Sequence, residues 1–271
     1  MPKVKANNIT MNYDQQGTGE PLILIPYLAA DHACYAFQAA EYAKHFTCIA
    51  LDLRGTGETD KPEGVYSTEL LADDVAAFMQ AAGIKKAHIS GLSLGATTGM
   101  WLAAKYPEKV QSLSLHSGWP KTDPFIKTVI EGFQIVAKAL DSVPQMVIRA
   151  IFPWCLTPEL YAAKPDYIRS LADFVLSRPA QPLAAFIQQS NAAIAHDVEA
   201  QLGSITAPTQ ITFGRYDLAT STRFAGRMKA IRDSELLIFE ECAHAPIYEK
   251  VEEFNQKTLQ FLQRHTGAAT S

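Results

Sequence analysis

Gly91-Leu92-Ser93-Leu94-Gly95 stands between a short apolar run and a stretch of helical periodicity. A serine hydroxyl is a poor nucleophile at neutral pH. It reacts only with a base in hydrogen-bond reach and a carboxylate that fixes the tautomer of that base. With those partners the chemistry is acyl transfer: attack on a carbonyl, an oxyanion held by backbone donors, and release of the acyl group to water. The flanking glycines suit a strand-to-helix turn so tight that larger side chains would collide with neighbouring backbone. A G-x-S-x-G pattern arises by chance in roughly one such chain in 25, so the strand before it and the helix after it carry the argument.

The base and the acid are sought where parallel sheets collect catalysts, just past the carboxyl ends of strands. Asp217 lies three residues after the apolar run 209–214, and His244 four residues after the run 235–240. The order Ser93, Asp217, His244 is the one associated with this turn. His45, His88 and His265 read as surface or core histidines, and His116 and His196 lack a matching serine and acid. Asp52 also ends a strand, but it leads into the turn RGTGETD, where Asp and Gly follow from turn chemistry alone. Glu240, Glu241, Cys242 and His244 lack the spacing of a tetrahedral site, so no metal is expected. GLSLGATTG lacks the lysine of a phosphate loop, and no cofactor is expected.

The elements that must position these residues follow a regular rhythm. Short apolar runs at 21–26, 46–52, 87–91 and 110–116 read as buried parallel strands, with helical segments such as 68–82 between them. The opening segment, closed by Gly17 and Gly19, reads as an amphipathic strand or hairpin at a sheet edge. From about residue 120 to 205 the strands stop, and helical stretches broken by seven prolines take over. Strands resume at 209–214 and 235–240, with helices expected over about 221–231 and 248–264. The fold class is therefore α/β, a mostly parallel sheet flanked by helices, with a core of 1–119 and 206–271 and an inserted helical cap of 120–205. The tail Gly267–Ser271 is expected to be disordered.

Bulk properties bound the rest. The 271 residues are 48% apolar and 19% charged, ordinary for one globular core with an insertion. Net charge is −4, from 24 basic and 28 acidic residues without basic runs, so nucleic acid is not an expected partner. No run of about 20 apolar residues is present for a membrane span. The expected setting is cytoplasmic, with the four cysteines reduced. The sequence says nothing about oligomeric state.

DLRGTGETD, GLSLG, FGRYDLAT and CAHAPIYEK together resemble the landmark segments of the α/β-hydrolase superfamily along nearly the whole chain. Within it, GRYDLAT and the following helix look most like small carboxylesterases and lactonases, 3-oxoadipate enol-lactonase among them, and the aminoacrylate hydrolases are also similar. The resemblance implies an α/β-hydrolase fold and a small-molecule ester or lactone as substrate. By position it implies an oxyanion hole from the backbone N–H groups of Leu28 and Leu94, a contribution of about 3 to 4 kcal/mol per donor. One departure stands out: Pro26-Tyr27 replaces the His-Gly dipeptide usual after the third strand. The Tyr27 hydroxyl could then enter the site, or its ring could simply pack under the cap.

The apolar insertion predicts an apolar pocket, with Tyr27, Trp119 and Trp154 as candidate substrate contacts. Arg149 is a candidate anchor if the substrate is an enol-lactone acid, against the preferred reading of a surface arginine. A C–C bond hydrolase, an amidase or an acyltransferase would use the same triad. A receptor that binds without turnover is the reading the altered oxyanion loop favours.

Overall fold

The computed structural model describes residues 1–267; residues 268–271 of the tail expected to be disordered lie outside the described residues. Its centre is one eight-stranded sheet in the order β1-β2-β4-β3-β5-β6-β7-β8. The strands are β1 (Lys3–Ala6), β2 (Ile9–Gln16), β3 (Pro21–Ile25), β4 (Thr47–Leu51), β5 (Ala87–Leu92), β6 (Val110–His116), β7 (Thr209–Gly214) and β8 (Ser234–Phe239). β1 and β2 form an antiparallel hairpin at one edge, and β2 joins β4 antiparallel. Every later pairing is parallel.

Parallel strands need long crossovers, and these are the helices that cover both faces. α1 (Ala36–Tyr42), α2 (Thr68–Ala81) and α3 (Leu94–Lys105) follow β3, β4 and β5. Ser67 caps α2 by accepting from the Leu70 N–H, and Leu71, Val75, Phe78 and Met79 turn to the sheet. Every residue of β5 is buried, as a central strand packed on both faces requires. One apolar cluster, with Ile23, Ile89 and Leu113, fills one face; a second, with Leu24, Tyr42 and Phe254, fills the other.

Between β6 and β7 the chain leaves the sheet for α4 (Pro124–Leu140), α5 (Val143–Met146), a π turn over Val147–Ile151, α6 (Phe152–Cys155), α7 (Pro158–Ala163), α8 (Pro165–Ser177) and α9 (Leu183–Ile194). Prolines stand at the first turns of α4, α5, α7 and α8, where the missing N–H costs no hydrogen bond, while Pro153 follows the π turn inside the continuous helical run 143–155.

Two expected helices differ. The segment 221–231 holds only a 3-10 turn and α10 (Ala225–Met228). Ser221 enters it with φ 53°, and Gly226 weakens its middle. The final helix is broken at Lys250 into α11 (Pro246–Glu249) and α12 (Val251–Arg264). The break frees the Glu249 carboxylate to turn back toward Ala243. The four cysteines are free, and Cys34, Cys48 and Cys242 are buried.

Candidate active site

Ser93 sits between β5 and α3 with φ 55° and ψ −114°. An L-residue held there stores about 1 to 3 kcal/mol of strain, which the surrounding packing must impose. The packing is visible: a Cβ on Gly91 would stand 2.3 Å from the Gly95 carbonyl carbon, and one on Gly95 would stand 2.1 Å from the Ile25 oxygen. Only glycine lets β5, α3 and the end of β3 meet this closely. The Ser93 N–H donates to His116 O at 2.8 Å, which pins the turn to β6.

His244 and Asp217 follow β8 and β7. His244 Nδ1 lies 3.0 Å from Asp217 Oδ2, and both residues are buried. Asp217 also accepts from the Thr220 N–H at 2.9 Å and the Thr220 hydroxyl at 2.7 Å. Burial pushes the Asp217 carboxyl up, but the His244 charge and the hydrogen bonds from His244 and Thr220 outweigh it and hold the group below the usual carboxylate range. An ionised Asp217 accepts the Nδ1 proton, which leaves the Nε2 lone pair of His244 free to take one.

Ser93 and His244 line the same cavity of about 100 Å³, although among the described residues no hydrogen bond joins them. Tyr27, Leu28, Trp119 and Trp154 line it as well. Helices α4, α6, α8 and α9 contribute Ile130, Phe133, Phe152, Leu171, Phe174 and Ala193. No Asp, Glu, Lys or Arg lines it among the described residues. The Leu28 and Leu94 N–H groups find no acceptor among the described residues, so two donors stand unengaged at the end of the sheet that carries Ser93.

A family model for the alpha/beta hydrolase fold matches residues 20–251. The chain belongs to that family. Among its relatives this alpha/beta hydrolase is 25% identical over 268 residues to RutD of Azorhizobium caulinodans, a protein that carries the name of a carbamate hydrolase, covering 96% of this chain and 98% of the relative. An esterase from Thermogutta terrifontis superposes with a TM-score of 0.86 at 24% identity, covering 98% of this chain and 99% of that one. The enol-lactonase from Burkholderia xenovorans gives 0.87 at 23%, over 97% and 100%.

Other residues in this alpha/beta hydrolase fall into place around the cavity. The Tyr27 hydroxyl is engaged: Tyr248 donates its own proton to Cys34 O at 3.0 Å, so Tyr27 donates to Tyr248 at 2.8 Å. The ring lines the cavity while its hydroxyl points to α11. Arg149 is exposed, contacts Gln145 and does not line the cavity. Burial pulls His116 down to about 3, and its ring bonds Ser90 and Thr212 within the sheet. His196, pulled down by burial to about 4, bonds Thr68 and Trp119 O.

Asp52 proves more than a turn residue. It is fully buried and accepts from the His32 N–H at 2.8 Å, His32 Nδ1 at 2.7 Å, Asn12 at 2.8 Å and the Glu58 N–H at 2.8 Å. The sequence therefore holds a second Asp–His pair. His32 Nε2 faces Arg178 at 3.4 Å, and among the described residues no serine hydrogen-bonds to it. Thr220, Ser117 and Tyr248 escaped the sequence reading: Ser117 and Tyr248 act across gaps between distant segments, and Thr220 acts through the local geometry of the Asp217 loop. Ser117 donates to His244 O at 2.8 Å and steadies the His244 loop from the residue after β6.

Proposed function

We propose that this alpha/beta hydrolase cleaves an uncharged, apolar carboxylic ester or lactone through an acyl-enzyme, with Ser93 as nucleophile, His244 as base and Asp217 as its orienting acid. The observation that carries the reading is the convergence of a strained serine and an aspartate-bound histidine on one cavity that no Asp, Glu, Lys or Arg lines among the described residues. His244 Nε2 takes the hydroxyl proton as Ser93 attacks. The N–H groups of Leu28 and Leu94 bind the oxyanion, and His244 then protonates the leaving oxygen. Water, activated by the same histidine, releases the acid.

Residues 120–205 serve as the cap over a core of 1–119 and 206–271, and the cavity lies between cap helices and sheet. Tyr27, Trp119 and Trp154 act as apolar walls for substrate. No Lys or Arg lines the cavity among the described residues to hold an anionic substrate. An apolar acyl group fits the lining, since each buried methylene contributes about 0.8 kcal/mol, roughly fourfold in binding.

The test is hydrolysis of p-nitrophenyl esters from acetate to decanoate, and of simple lactones, by wild type and Ser93→Ala. Turnover is expected to rise with chain length up to the limit of the cavity and to vanish in Ser93→Ala. Equal rates in the two proteins would remove Ser93 from the chemistry.

A further inference from the structure

Glu249 ends α11, five residues after His244, and its carboxylate is half-buried with no Lys, Arg or His paired to it among the described residues. Its two oxygens serve two different parts of the molecule. Oε1 accepts from the Ala243 N–H at 2.7 Å, the peptide immediately before His244, with the Cys242 thiol at 3.6 Å. Oε2 accepts from the Thr157 N–H at 2.9 Å and the Thr157 hydroxyl at 2.6 Å, where the chain turns from α6 into α7. On the other side of the histidine, the Ala245 N–H donates to Cys155 O at 3.1 Å, again in the helical layer. The Tyr167 hydroxyl of α8 donates to Tyr248 O at 3.0 Å. The peptides on both sides of His244 are thus tied to the helices that roof the cavity as well as to the residues that follow β6 and β7, Ser117 and Tyr216.

From this arrangement we infer that Glu249 is a positioning residue, which sets His244 for proton transfer by fixing the base loop to the seated helical layer. The inference rests on the assignment of His244 as base. A hydrogen-bonded carboxylate is suited to the task because each oxygen accepts from a separate peptide. An amide has one carbonyl oxygen, so Glu249→Gln leaves either the Ala243 or the Thr157 N–H without an acceptor. Misplacing a base by a fraction of an ångström slows proton transfer in both acylation and deacylation and leaves apolar binding of substrate as it was.

The experiment measures kcat and KM on a p-nitrophenyl ester for wild type, Glu249→Gln, Thr157→Val and the double variant. Rates are counted per Ser93 labelled at the endpoint by a fluorophosphonate. The expected result is a kcat per labelled site about tenfold lower in Glu249→Gln, with KM changed by less than about twofold. Thr157→Val should fall in the same direction, and the double variant should lose no more than Glu249→Gln alone, because the two changes break one contact. An unchanged kcat per labelled site, even with a lowered melting temperature, would make Glu249 a structural staple and overturn the inference. If Glu249→Gln does not fold, Thr157→Val decides, since it keeps the backbone N–H and loses only the hydroxyl. A wild type that neither turns over nor labels at Ser93 removes the underlying assignment itself, an outcome separate from wild-type turnover with unaffected variants.

Discussion

Asp217 matters at the scale of one proton. Its carboxylate, held ionised by His244 and Thr220, dictates which nitrogen of His244 is free. Asp217→Asn would present an amide to Nδ1 and favour the wrong tautomer, so kcat should fall about 10³- to 10⁴-fold while the fold persists. Steady-state kinetics beside a circular dichroism melt would check this, and a loss under tenfold would move the orienting role to another group. The same carboxyl sets a pH limit on stability: its folded-state value is depressed, so its contribution is present above about pH 3.9 and is lost as pH falls through the folded value. Ser93 was legible in the sequence because steric demand fixes two glycines at set spacing. Asp217 and His244 were legible because they follow strands. Glu249 and Tyr248 were not, because Thr157 and Cys34 reach them from distant parts of the chain, and Thr220 was not, because its contact with Asp217 depends on loop geometry that no periodicity records.

Elements explain why the strands were read nearly residue for residue while the helices over 221–231 and 248–264 were not. A buried parallel strand is an unbroken apolar run, and β6 and β7 match their runs end to end. A helix boundary depends on a single residue leaving helical geometry, as Lys250 does at φ −129° and ψ 45°. The loops after β3 and β4 meet through His32 and Asp52, and Arg178, from the connection of α8 to α9, donates to Asp31 at 2.8 Å. Burial pulls the His32 imidazole down, but the hydrogen bond and charge of Asp52, with Asp31 adding, outweigh it and raise the group. A raised histidine stabilises below its unfolded value and stops doing so as pH rises through its folded value. The melting-temperature gap between wild type and His32→Gln should therefore be wider near about pH 5.5 than near about pH 9. A gap that widens with pH would reverse the sign of the pair.

On the scale of the whole molecule, the chain lays a roof of helices over the carboxyl end of one sheet and leaves between them a chamber that no Asp, Glu, Lys or Arg lines among the described residues. That lining has a consequence for the traffic of the reaction. Cleavage of a neutral ester creates an acid that ionises at neutral pH, and an unpaired anion in such a chamber costs several kcal/mol. Under the proposed ester hydrolysis the walls that draw substrate in would expel what it becomes, so the acid should leave readily and inhibit weakly. In Ser93→Ala, displacement of an apolar fluorescent probe by decanoic acid should tighten as pH falls from about 8 toward 5 and the acid regains its proton, while decanol displaces equally at every pH. Tight binding of the anion at high pH would point to a cation reaching into the chamber. With the anion expelled, the proposed hydrolysis runs downhill twice, once in bond energy and once in solvation.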